Sequence, residues 1–92
     1  MPYMRVTQST FDPANADEAA RLTRLVVETM RRQPGFQHFH GGFDREGGKG
    51  LAITTFDTRD HASFDRQQLG DALRESLAVM QYTPPAIYEV VE

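Results

Sequence analysis

Phe36-Gln37-His38-Phe39-His40-Gly41-Gly42-Phe43 and Leu51-Ala52-Ile53-Thr54-Thr55-Phe56 are two runs rich in aromatic and β-branched residues, joined by the glycine-rich Asp44-Arg45-Glu46-Gly47-Gly48-Lys49-Gly50. They predict a β-hairpin whose loop is longer than the two-residue minimum. A central hairpin needs partners, and both flanks supply them. Upstream, Tyr3 to Thr10 alternates, with Met4 and Val6 on one side and Arg5, Thr7 and Ser9 on the other, which predicts a first strand. Asp12-Pro13 then offers an N-cap followed by proline at the first helical position. Ala19, Leu22, Val26 and Met30 recur with helical spacing until Gln33-Pro34-Gly35 stops the helix. Downstream, Asp57 or Thr58 caps a second helix, along which Ala62, Leu69, Leu73, Leu77 and Met80 share a face while Phe64 points almost opposite. Gly70 interrupts it, so a broken helix is expected over about 59–69 and 71–80. Pro84-Pro85 end that segment, and Ala86 to Val91 reads as a last strand.

The order is β-α-β-β-α-β. With right-handed crossovers it predicts an α+β, ferredoxin-like domain over residues 1–92: a four-stranded antiparallel sheet with both helices on one face. The other sheet face is left bare, and a small chain without disulfides has a marginal core, so pairing with a second copy is expected. The 39% apolar residues plus seven glycines, about 47% of the chain, match a globular domain and argue against disorder.

Charge and composition exclude several function classes. Ten Lys and Arg against thirteen Asp and Glu give a formal net charge of −3, without the positive excess that phosphate backbones attract. Leu25-Val26-Val27 is the longest aliphatic run, so no membrane span or signal-peptide core is expected, and the chain reads as cytoplasmic. With no cysteine, thiol catalysis and thiolate-ligated metal are excluded. Gly47-Gly48-Lys49-Gly50 is not a phosphate loop, because a strand and not a helix follows it. Lys49 to Phe56 partly follows the RNA-recognition signature, but Leu51 and Ile53 stand where base-stacking rings are needed.

Pro34-Gly35-Phe36 opening strand two, Thr55-Phe56-Asp57-Thr58 leading into Asp60-His61-Ala62, and the closing Ile87-Tyr88-Glu89-Val90-Val91 resemble the dimeric α/β-barrel superfamily. Within it the chain is most similar to antibiotic-biosynthesis-monooxygenase-like proteins. The resemblance implies a homodimer with facing sheets, a small-molecule cavity between sheet and helices, and oxygenation of a quinol-like or polyketide-like aromatic without a cofactor. Two departures argue against the haem-degrading branch: Phe56 stands where a Trp is frequent, and Thr7 or Gln8 stands where an Asn is expected in strand one.

His38 and His40 lie at i, i+2 on strand two and leave the same face. If the apolar parities of all strands share one side, Arg5, Thr7, Thr54, Phe56 and Glu89 join the histidines on the other. In one reading this is a pocket in which His38 or His40 acts as base, Arg5 holds an anion, and Thr7, Thr54, Phe56 and Glu89 contact substrate. In the other it is a hydrogen-bonded dimer face with an Arg5–Glu89 strand pair, and the protein is a non-catalytic binding or structural homodimer. No haem, flavin or metal is expected, since His61 is remote from the His38/His40 pair and no dinucleotide fingerprint opens a helix.

Overall fold

The computed structural model describes residues 1–91. β1 (Tyr3–Phe11) leads through a 3₁₀ turn (Pro13–Asn15) into α1 (Ala16–Met30). Asp12 caps the turn by accepting from the Ala14 amide at 2.9 Å, with Pro13 behind it. The β2 (Phe36–Asp44) and β3 (Lys49–Phe56) hairpin follows as the sequence predicts. Then come α2 (Arg59–Ala62), a 3₁₀ turn (Arg66–Leu69), α3 (Asp71–Leu77), β4 (Met80–Tyr82) and β5 (Ala86–Glu89). This is the α+β βαββαβ ferredoxin-like fold, with an antiparallel sheet and helices against one face. No described helix is long and apolar enough to cross a membrane.

The second helical region departs from the predicted 59–69 and 71–80. α2 ends at Ala62, and Asp65 caps a separate turn by accepting from the Gln67 amide at 2.9 Å. The unwinding brings Phe64, out of phase in a continuous helix, into edge-on contact with Phe56 at 5.7 Å between ring centroids. Gly70 breaks the region where expected, at φ +66°, a backbone conformation that side-chain-bearing residues rarely adopt. α3 stops at Leu77, three residues short of the prediction, because Met80 is buried from a strand opposite Phe11 and not from the helix.

The fourth strand is consequently longer and broken. β4 and β5 occupy the same edge of β1, pairing Ser9–Phe11 with Tyr82–Met80 and Tyr3–Val6 with Glu89–Ala86. Between these ladders Thr7 and Gln8 oppose Thr83, Pro84 and Pro85, one residue more on the second strand. Proline cannot donate to a ladder, so the interruption falls there. Thr83 bridges it, its amide donating to the Gln8 carbonyl at 2.9 Å and its hydroxyl accepting from the Gln8 amide at 3.1 Å.

Cross-strand partners share a face, so the register assigns each side of the sheet. Arg5↔Thr54↔Phe39, Thr7↔Ala52↔Gly41 and Ser9↔Gly50↔Phe43 face the helices. Met4↔Thr55↔His38 and Val6↔Ile53↔His40 face away from them. Two apolar clusters close the helix side. Met30, Phe56, Ala62, Leu69 and Leu73 form one, and Phe11, Ala16, Ala19 and Met80 form the other. The bare face carries Met4, Val6, Ile53, Leu51 and Tyr88, the last two 45% and 53% exposed.

Candidate functional site

A cavity of about 390 Å³ opens between the sheet and α1, lined by members of both apolar clusters. That size lies at the low end of small-molecule sites. Phe39 and Phe43 supply aromatic wall from β2, Val26, Val27 and Met30 aliphatic wall from α1, and Leu69, Leu73 and Met80 close the far end. Gly41 on β2 makes room for the Phe39 ring, whose tip lies 2.7 Å from where a Cβ would stand.

Onto this apolar surface the strands project polar groups at alternate positions. β1 contributes Arg5, Thr7 and Ser9, and β3 contributes Thr54. Arg5 is 5% exposed, and its Nη1 donates to the carbonyls of Ala62 at 2.9 Å and Phe64 at 2.8 Å. Its guanidinium lies 4.1 Å from the centre of the Phe64 ring. These contacts explain why the chain unwinds after Ala62: the carbonyls released at the end of α2 point at a cation. No buried side-chain nitrogen or oxygen among the described residues lacks a partner, and Arg5 itself lines the cavity. Burial lowers the Arg5 pKa; Asp65 opposes the shift and Arg66 adds to it. Arg5 therefore holds a positive charge in a desolvated place without a carboxylate in contact among the described residues.

Tyr82, on β4, lies across the same space, its phenol pushed up mainly by burial. Thr23 and Arg24 from α1, Arg45 from the hairpin loop and Arg66 from the second 3₁₀ turn complete the polar lining. Sequence reasoning missed these. The signal for α1 was present: Ala20, Thr23, Arg24 and Val27 form a continuous helical stripe with the polar pair at its centre. Arg45 and Arg66 carried none, being loop residues placed by tertiary packing.

Arg5, Thr7, Thr54 and Phe56 come together on the helix side, as the sequence grouped them. His38 and His40 do not join them. A β-bulge between Phe36 and His38 shifts the β2 register, so that Phe36 and then Phe39, Gly41 and Phe43 face inward and both histidines face the bare side. The premise that all apolar parities share a face fails, because β1 turns its polar parity toward the helices while β2 turns its aromatic one. Glu89 pairs with Tyr3 and is exposed at the sheet edge, and Arg5 pairs with Ile87, so the expected Arg5–Glu89 strand pair does not form. Among the described residues no histidine or carboxylate lines the cavity. Among the described residues no three His, Cys, Asp or Glu side chains gather as metal ligands.

His61 sits elsewhere, its Nδ1 2.6 Å from Asp57 Oδ1. The contact holds the Asp57 carboxyl below the usual range. Gly35, at φ +77°, passes against both side chains, with Asp57 Oδ1 only 2.1 Å from a notional Cβ. The Pro34-Gly35 and Asp57-to-His61 motifs are thus one structural unit at the base of the hairpin.

No protein-family model matches the sequence, and no curated protein matches it. Solved structures match over essentially the whole chain. An antibiotic biosynthesis monooxygenase is similar at TM-score 0.72 and 18% identity, over 98% of this chain and 99% of its own. SnoaB, a cofactor-independent oxygenase from Streptomyces nogalater, matches at TM-score 0.65 and 17% identity, over 99% of this chain and 94% of its own. MupZ from Pseudomonas fluorescens matches at TM-score 0.77 and 9% identity, over 94% of this chain and 69% of its own. The chain thus has the ferredoxin-like fold of the antibiotic-biosynthesis-monooxygenase structures, a group that includes a cofactor-independent oxygenase.

Proposed function

We propose that this protein is a cofactor-independent monooxygenase that oxidises a small aromatic, quinol-like or polyketide-like molecule bound as its enolate or phenolate in the sheet–helix cavity. The buried Arg5 guanidinium, facing a largely apolar cavity with no carboxylate in contact, carries the reading. A cation in a dry site stabilises an oxyanion far more than water does, and it lowers the pKa of a bound enol or phenol. Thr7, Thr54 and Ser9 offer neutral donors to the remaining oxygens, and the Phe and Val walls exclude water. The reaction balances without a cofactor. The substrate carbanion adds oxygen to form a C–O bond, the peroxide takes up a proton from solvent that replaces the one lost on ionisation, and loss of water with that carbon's remaining hydrogen leaves a carbonyl at the carbon that took up oxygen.

His38 and His40 lie on the other face, so the proton lost on ionisation goes to solvent and not to either histidine. This makes the substrate's own acidity a requirement. Similarity to SnoaB supports the chemistry at the level of fold. The bare face, with Val6 and Ile53 at its centre, supports association as a homodimer.

Oxygen uptake with a panel of hydroquinones and anthrones in metal-free buffer tests the reading. Consumption that rises with pH through the substrate's own pKa, and survives a combined His38→Ala and His40→Ala change, is expected. A second reading, a non-catalytic binding protein, is favoured by one observation, the lack of any histidine or carboxylate in the cavity lining. Tight binding of the same compounds with no oxygen consumed would establish it.

A further inference from the structure

We propose that the cavity's ligand carries a carboxylate-class anionic group on its ring-sized apolar body, and that Arg24 and Arg66 hold this group at the cavity mouth. The inference rests on reading the cavity as the ligand site. The chain is acidic overall, at −3, yet four of its ten cationic side chains line this cavity and, among the described residues, no acidic one does. The local field is therefore opposite in sign to that of the whole molecule, an arrangement that draws anions to one place.

The four arginines are not equivalent. Arg5 is buried and engaged with two carbonyls, and Arg45 is tied to Asp17 at 2.7 Å. Arg24 and Arg66 are exposed and make no ion pair among the described residues. On α1 itself Arg21 pairs with Glu18, so of that helix's two arginines Arg24 is the one without an ion pair among the described residues. Asp65, next to Arg66, is engaged with the Gln67 amide.

Arg24 and Arg66 also come from different elements that pack on each other, α1 and the Arg66–Leu69 turn. Arg66 lines the same cavity as Arg5 and Tyr82. Two guanidinium groups lining one cavity suit a planar carboxylate better than a point charge. Apart from the four arginines, the cavity's lining residues are apolar or glycine or carry a neutral hydroxyl. A ligand with an acid at one end and an ionisable ring oxygen at the other meets a cation at each.

Fluorescence titration with 2-anthracenecarboxylate and its neutral counterpart 2-anthracenemethanol tests this. Two exposed charge pairs predict that the acid binds roughly tenfold tighter at low salt, and that about 0.5 M NaCl erases most of the difference. The double variant Arg24→Gln, Arg66→Gln is expected to abolish the preference while leaving alcohol binding within about twofold. Both residues are exposed, so folding is preserved, and an unchanged melt verifies it. Equal affinity for acid and alcohol in the wild type, or a preference that persists in the double variant, overturns the inference and leaves the cavity reading standing. Failure of both probes to bind overturns the two together.

Discussion

Replacing Arg5 with methionine, which keeps the length and apolar stem but removes the charge and every donor, should loosen one defined part of the fold. The loss comprises two charge-assisted hydrogen bonds, to Ala62 O at 2.9 Å and Phe64 O at 2.8 Å, and the stacking on Phe64 at 4.1 Å. Hydrogen bonds to charged groups contribute about 1.5–3 kcal/mol each, and a desolvated cation–π contact up to about 2 kcal/mol. Against this stands the relief of burying an unpaired cation, several kcal/mol in effect. The near cancellation leaves a net loss of about 2 kcal/mol, or a fall in Tm of roughly 8–16 °C for a domain this small. Arg5→Lys, with its charge intact but no planar fork, should fall between the two. Thermal melts at fixed protein concentration measure the size of the effect, and hydrogen exchange locates it. Protection should be lost first over Ala62 to Leu69, where the chain hangs from Arg5. A melt within about 0.5 kcal/mol of wild type, or a loss of protection spread evenly over the sheet, would refute the assignment of Arg5 as the tie between β1 and the unwound segment.

Gly70→Ala should destabilise by about 1–3 kcal/mol in urea titration, because φ +66° is strained for a side-chain-bearing residue, whereas Gly42→Ala should be nearly neutral. A notional Cβ meets nothing at either position, so only the backbone differs, and equal effects would contradict the strain account. The Asp57 carboxyl titrates below its unfolded value of 3.8, so its contribution to stability is present above that pH and is lost as pH falls through the lower folded value. His61→Ala should flatten this acid limb of the Tm profile, and an unchanged slope would remove the pair from the explanation. Ile53→Glu, placing a charge between Val6 and His40 on the bare face, should convert the expected dimer to a monomer in light scattering. A wild type already monomeric at low micromolar concentration would refute the pairing of sheets.

The fold was legible because its signals were local. Asp12-Pro13, Gln33-Pro34-Gly35 and Gly70 each mark a boundary through backbone chemistry that needs no partner; the last two fall at the stop and the break, while Asp12-Pro13 opens the 3₁₀ turn that precedes α1 and not α1 itself. Met80 shows the limit of periodicity. Its spacing from Leu73 suits a helix, yet its burial is achieved opposite Phe11 in a strand, since a buried position reveals nothing about which element buries it.

The site was half legible for a related reason. Parity within a strand is set by the chain itself, which is why Arg5, Thr7 and Ser9 were grouped correctly. Which parity faces the helices depends on neighbouring strands, and one residue of slip inverts it. The extra residue at Gln37 does this to β2, sending His38 and His40 outward and Phe39 and Phe43 inward. The inversion matters chemically, because it exchanges two bases for two aromatic rings in the cavity wall. What remains there is a cationic, hydroxyl-bearing, base-free surface. Such a surface can stabilise an anion but cannot make one by proton abstraction through a carboxylate or imidazole, so any oxygenation it supports must begin from a substrate acidic enough to ionise beside Arg5.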